Sequence, residues 1–216
     1  MSWDNFKFSP DAAQGWIFLV LLGGYALGCI ATGYYLVRLF ARQDVRNEGS
    51  GNIGATNVGR VLGAWGFAVV LLLDLGKGAL AVGLARHFIG GETAGLLAMS
   101  AVTAGHIWPV QLGFRGGKGV SASLGALLVF DWRLALTFAA VAAVGWAVVR
   151  SFSLGGMVAF LLLPLMAFAW RQTPATAAGV SLMAALVLIA HRKNIEEVLV
   201  RFNNSRHGRL KPEEKT

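Results

Sequence analysis

Charge is what this sequence has least of. Only 14% of its 216 residues are Asp, Glu, Lys or Arg, against roughly 25% in an ordinary soluble domain. Mean hydropathy is +0.60 and 56% of the residues are hydrophobic. A chain so poor in charge cannot clothe a water-facing surface, so its solvent is lipid. Cysteine is nearly absent. Cys29 stands alone, which excludes an intramolecular disulfide, and its apolar surroundings mark a buried structural thiol. Asp, Glu and His form no clustered metal-ligand set. The opening MSWDNFKFSPDAAQG lacks the basic start of a cleaved signal peptide, so the first hydrophobic run is expected to be retained.

Glycine and basic residues are present in excess. Gly accounts for 28 positions, about twice the ordinary share, and small residues let membrane helices approach closely. Net charge is +8. In a soluble protein that surplus would raise nucleic acid as a partner. Here it sits in the loops and tail, which points to anionic lipid or anionic substrates and to no nucleic acid.

A bilayer core is crossed by about 20 apolar residues. Runs over 15–39, 58–85, 94–112, 120–130, 134–149, 154–170 and 175–190 predict an all-α, polytopic integral membrane protein of about seven transmembrane helices. The fourth run is short. With seven crossings, Lys7, Arg86, Arg133 and Arg171 fall on one side and Lys77 within the membrane, leaving the other 14 of the 19 basic residues on the opposite side. The positive-inside rule makes that richer side cytoplasmic, with the N-terminus outside and the C-terminus in the cytoplasm. The expected organisation is a polar extracytoplasmic stretch over 1–14, a single transmembrane domain over 15–199 and a basic cytoplasmic tail over 200–216. No repeat or long linker interrupts it.

The unusual polar segments share that cytoplasmic side. GSGNIGATNVGR at 49–60 satisfies G-x-G-x-x-G, but RNE precedes it where a dinucleotide-binding fold needs a hydrophobic strand. What remains is backbone chemistry: glycines let N–H groups converge on an anion. Thr56 or Asn57 is placed to cap the following helix, and the free N–H groups there suit a phosphate. Arg60 adds a bidentate charge. The bland alternative is a capped glycine turn. GHIWPVQLGFRGGKG at 105–119 is not a Walker loop, since Gly119 follows Lys118 where Ser or Thr is required. Lys118 among glycines can still serve a phosphate as a point charge, or be a basic surface turn. His106 at a helix end is a candidate base, a phosphate contact or only a cap. Asp74 and Lys77, at i and i+3, can pair on one helix face. A charge at the membrane centre costs about 2.5–3.5 kcal/mol on insertion scales, which pairing or a polar cavity offsets. Both a structural pair and a substrate contact stay open. In HRKNI, Arg192 and Lys193 suit the interface, while His191 and Asn194 face the bundle.

Taken in order, these segments resemble the bacterial acyl-phosphate:glycerol-3-phosphate acyltransferases, the PlsY family. GSGNIGATNVGR is similar to its first motif, GHIWPVQLGFRGGKGVSASLG to its second and HRKNI to its third, and DLGKGALAV fits its second span. The likeness runs over about 15–199. It implies a multi-pass enzyme of the bacterial inner membrane that moves a fatty acyl group from acyl phosphate to the 1-hydroxyl of glycerol 3-phosphate, yielding lysophosphatidic acid and phosphate. It also implies the site: His106, Ser50 and Asn194 as candidate catalytic residues, and Asn52, Thr56, Asn57, Arg60, Lys118 and His191 as candidate substrate ligands. Beyond Asn194 the chain reads RFNNSRHGRL in place of a Gly-Thr-Glu-type segment, so no glutamate role is carried over. Acyl phosphate is an activated anhydride, so the resemblance implies no metal and no cofactor, and positioning and charge neutralisation are the protein's expected work. An anion transporter is the non-enzyme rival, but the motifs crowd one face and no inverted repeat is visible. A CDP-alcohol phosphotransferase is the enzyme rival, and its aspartate-rich motif is missing. Oligomeric state is not legible.

Overall fold

The computed structural model describes residues 10–196 together with Val200 and Asn203. The expected tail over 200–216 therefore lies outside the described residues apart from those two positions, as does the expected N-terminal stretch before Pro10. The described chain is all helical. Its helices are α1 (Pro10–Gly28), α2 (Thr32–Phe40), α3 (Ala55–Phe88), α4 (Gly91–Ile107), α5 (Val120–Phe130), α6 (Trp132–Val149), α7 (Phe152–Ala169) and α8 (Pro174–Ala190). Two single 3₁₀ turns, Val45–Asn47 and Val110–Leu112, interrupt the loops.

Three helical stretches, Gly15–Phe40, Ala55–Phe88 and Trp132–Val149, are long and apolar enough to cross a membrane, and Val120–Phe130, Ser153–Ala169 and Pro174–Ala190 are shorter apolar helices. Their outward faces carry bare apolar side chains. Phe168 is 82% exposed and Val148 77%, which water would penalise and lipid does not.

Glycine sets how closely the helices pack. A Cβ on Gly28 would stand 2.3 Å from the Val102 carbonyl oxygen, and one on Gly105 would stand 2.2 Å from that of Tyr25, so α1 and α4 touch backbone to backbone. Gly78 and Gly125 do the same for α3 and α5, with virtual Cβ distances of 2.0 Å to Ala122 O and 1.9 Å to Leu75 O. The main core joins α1 and α3 through α8 around Met99, Leu127, Leu134, Phe160 and Met183. A smaller core of Val37, Val45, Ile53, Val58, Val70 and Leu112 lies beneath the glycine-rich loop and gives it a floor.

Three helix boundaries differ from the sequence-based expectation. The first run is broken: α1 ends at Gly28 and α2 starts at Thr32, because the ammonium of Lys77 draws off the carbonyls of Gly28 and Ile30 at 3.1 and 2.8 Å. The second helix begins at Ala55 rather than 58 and has non-helical backbone at Gly63, φ 77°. Its 34 residues would span about 51 Å if straight, well beyond a hydrocarbon core of about 30 Å. The break at Gly63 turns 55–62 into a separate lead-in carrying Arg60, and glycine is the residue that accepts that φ without strain. The third run stops at Ile107, not 112, because Pro109 has no N–H with which to continue a helix. The fourth is as short as expected, 11 residues.

The end of the bundle away from the loops is closed by polar ties. Arg86 donates to the carbonyls of Val129 and Phe130, Glu92 accepts from the hydroxyls of Thr173 and Thr176, and Gln172 donates to Asp131 at 2.7 Å.

Candidate active site

The loop over 49–54 is built around one side chain. Asn57 is 1% exposed, and its amide nitrogen donates to the carbonyls of Val45, Glu48 and Asn52, each at 2.9 Å. Its Oδ1 accepts from the Ser50 N–H at 2.9 Å and from Arg60 at 3.2 Å. Gly49 and Gly51, at φ 50° and 69°, supply the left-handed turns that let the chain wrap round it. Asn57, expected as a substrate ligand, has its amide engaged in shaping the loop. The helix cap is corrected. Gly54 is the N-cap of α3, without a side-chain hydrogen bond, since Thr56 and Asn57 already lie in the first turn. Asn52 supports this start, accepting from the Gly54 N–H at 2.9 Å and donating to Ser50 Oγ at 2.8 Å. The N–H groups of Ala55 and Thr56 have no helical carbonyl to receive them. With the exposed Ser50, Thr56 and Arg60 around them, they make a polar rim at a helix N-terminus, a setting that suits an anion.

The second loop folds back onto the end of α4. The N–H groups of Gly116 and Gly117 donate to the carbonyls of Ile107 and His106 at 3.1 and 3.0 Å. A Cβ on Gly117 would stand 2.0 Å from His106 Nε2, so the imidazole lies directly under the loop. His106 is 2% exposed. The ring, expected as a candidate catalytic group, is thus packed between the loop and the bundle interior. Lys118 is half-buried and its ammonium donates to Asn194 Oδ1 at 2.7 Å, across 76 residues of sequence. The second and third motifs thus meet through one charge-assisted hydrogen bond. His191, also 2% exposed, has Nδ1 2.8 Å from the Val187 carbonyl. Burial, aided by the nearby Lys118 charge, pushes its imidazole below the ordinary pKa, so it is neutral at pH 7 and its Nε2 is an acceptor.

Arg46 joins the first loop to the second. It forms a forked pair with Asp44, closing at 2.7 Å, donates to the Leu112 carbonyl at 3.0 Å and lies 5.1 Å from the Tyr34 ring centroid. Its hydrogen bonds hold the Asp44 carboxyl below the usual carboxylate range. Tyr25 donates to the Trp108 carbonyl at 2.6 Å and Gln111 to that of Cys29, tying the second loop to α1. Beneath both loops lie Asp74 and Lys77, paired at 2.9 Å, with Thr32 Oγ1 donating to Asp74 at 3.2 Å. Among the described residues no group of three or more His, Cys, Asp or Glu side chains is placed to hold a metal ion.

The structure therefore brings Ser50, Asn52, Thr56, Asn57 and Arg60 into one loop, and Lys118, His191 and Asn194 into another cluster set over His106. The clamp residues Arg46, Thr32, Tyr25 and Gln111 were not singled out from the sequence. Arg46 is the one with a visible signal, an arginine two residues after an aspartate and next to the glycine run.

The model of the glycerol-3-phosphate acyltransferase family matches residues 18–201. The chain is 47% identical over 191 residues to glycerol-3-phosphate acyltransferase 1 of Desulfitobacterium hafniense strain Y51, covering 88% of this chain and 94% of that one. It is 44% identical over 180 residues to the glycerol-3-phosphate acyltransferase of Jannaschia sp. strain CCS1, covering 83% and 88%. In three dimensions it resembles the crystal structure of PlsY, an integral membrane glycerol 3-phosphate acyltransferase, in its glycerol 3-phosphate form, with TM-score 0.78, 30% identity, and 90% and 94% of the two chains covered. The lysophosphatidic acid form of that protein gives 0.75 at 29% identity over the same shares. Glycine-rich polar loops, set on an apolar helical bundle and matched over nearly the whole chain by these relatives, place it: this chain is an integral membrane acyltransferase and belongs to the glycerol-3-phosphate acyltransferase family.

Proposed function

We propose that the enzyme transfers a fatty acyl group from acyl phosphate to the 1-hydroxyl of sn-glycerol 3-phosphate, releasing 1-acylglycerol 3-phosphate and phosphate. The observation that carries this reading is the meeting of three polar segments at one end of the bundle, the first loop joined to the second through Arg46 to Leu112 O and the second to the segment after α8 through Lys118 to Asn194. Both substrates carry phosphate and the donor also carries a fatty tail, so the phosphates bind at the loops while the tail stays in lipid. A related enzyme has been crystallised with glycerol 3-phosphate and with lysophosphatidic acid, which differ by one acyl group.

The hydroxyl oxygen attacks the acyl carbon, the carbon–oxygen bond to phosphate breaks, and phosphate leaves with the electron pair. The hydroxyl proton passes to a phosphate oxygen of the substrates, a role that suits the burial of His106. Arg60 and Lys118 neutralise phosphate charge, with Ser50, Thr56 and the first N–H groups of α3 completing the cradle. Asn52 and Asn57 hold the first loop in shape, and Asn194 and His191 hold Lys118 at the second. The 15–199 segment acts as one catalytic domain crossing the bacterial inner membrane seven times, with the N-terminus outside and the loops and C-terminus in the cytoplasm, as the basic asymmetry supports.

Purified protein in lipid should release phosphate from acyl phosphate only when glycerol 3-phosphate is present. Arg60→Ala and Lys118→Ala should each remove most of that release without unfolding the protein, and Arg60→Lys should restore little, because an ammonium cannot replace a fork. Release without glycerol 3-phosphate, or full activity in both alanine variants, would overturn the assignment.

A further inference from the structure

Three ionisable side chains are closed off inside the bundle: Asp74 at 1% exposure, Lys77 at 6% and His106 at 2%. The ammonium of Lys77 is saturated. Its three N–H groups meet Asp74 Oδ1 at 2.9 Å and the carbonyls of Gly28 and Ile30 at 3.1 and 2.8 Å. The imidazole is not. His106 Nδ1 is one of two buried side-chain polar atoms among the described residues that have no hydrogen-bond partner, and Asp74 Oδ1 stands 3.7 Å from it. That carboxylate oxygen backs the Nδ1 edge of the ring. Nε2 lies on the other edge, where a Cβ on Gly117 would stand only 2.0 Å away. The ring thus has a carboxylate at its back and the second loop at its front. Lys118 follows Gly117 directly, and its ammonium has to reach Asn194 at 2.7 Å.

We propose that Asp74 is a positioning residue for acyl transfer: acting through the His106 ring, it determines where the loop over 116–119 sits and hence where Lys118 presents its ammonium. Asp74 touches neither substrate. Lys77 and Thr32 hold the carboxylate, Asp74 orients the ring, and the ring sets the loop. This rests on the reading of Lys118 as a phosphate ligand.

The test is a double-mutant cycle in the full-length protein in lipid, with phosphate release as the readout and thermal unfolding as the control for folding. Asp74→Asn in the wild-type background should lower kcat/KM for glycerol 3-phosphate by about 10- to 100-fold, the cost of an ångström-scale misplacement. In the Lys118→Ala background the same substitution should cost less than about 2-fold, because the residue it positions is gone. If Lys118→Ala is impaired and Asp74→Asn costs the same factor in both backgrounds, the positioning role is overturned while the phosphate reading stands. If Lys118→Ala is as active as wild type, the phosphate reading fails first. Should Asp74→Asn strand the Lys77 charge and fail to fold, the Asp74→Asn/Lys77→Gln variant leaves no unpaired buried charge and is measured in its place. It should show the same loss and the same collapse beside Lys118→Ala, and wild-type kcat/KM in this neutral pair overturns the proposal.

Discussion

Gly117→Ala tests most directly the placement of His106 beneath the second loop. The backbone raises no objection, since Gly117 is not among the glycines with positive φ. The objection is steric. The new methyl would stand 2.0 Å from His106 Nε2, 2.9 Å from Cδ2 and 3.0 Å from Cε1. Ordinary contact begins near 3.4 Å, so ring and loop must separate by about 1.4 Å. The ring cannot retreat, being 2% exposed with Asp74 behind it. The loop must move, and Lys118 with it. Such a displacement costs about 10²-fold in rate, and overpacking costs about 1–3 kcal/mol of stability. The assay is phosphate release at saturating acyl phosphate, alongside thermal unfolding. Gly76→Ala is the matched control: that glycine lies within α3 with nothing within 4 Å of its virtual Cβ. Alanine there should leave kcat unchanged and, by helix propensity, stabilise by up to about 1 kcal/mol. Wild-type kcat/KM and unfolding temperature in Gly117→Ala would refute the packing of His106 under the loop.

Asn57→Ala strips the first loop of its central amide and should cost about 2–4 kcal/mol, since buried carbonyls lose their donor; Asn57→Asp should be no better, because a carboxylate would face the carbonyls of Val45, Glu48 and Asn52, and wild-type unfolding temperatures in both would contradict the loop's construction. Cysteine introduced at Gln43 should resist an impermeant thiol reagent in intact cells while one at Gln172 reacts, and the reverse pattern would invert the orientation. The pH dependence of stability should carry a contribution from Asp44, whose carboxyl Arg46 holds below its ordinary pKa. That contribution is complete above about pH 4, the unfolded carboxylate pKa, and is lost as pH falls through the lowered folded value; Asp44→Asn should flatten the acid limb there, and an unchanged limb would show that the pair contributes nothing measurable.

The sequence by itself determined the solvent and the helical class, and it singled out the segments proposed as the site. Too little charge for water, hydrophobic runs of bilayer length and abundant glycine are local properties, and they carry into helices whose glycines pack backbone to backbone. The two glycine-rich loops with Arg60 and Lys118 were legible for the same reason, since close backbone approach and a fixed charge need particular residues at adjacent positions. The tertiary structure decided what depends on partners far along the chain. The break after Gly28 exists because Lys77, more than forty residues on, takes its carbonyls. That three loop carbonyls converge on the Asn57 amide, and that the Gly116–Gly117 pair folds over His106, is written in no single stretch of sequence. Lys118 and Asn194 meet across 76 residues. Periodicity and composition report a residue's own preference for lipid, water or a turn. Which distant donor meets which acceptor is settled only when helices cross, because burial then obliges each polar group to find a partner.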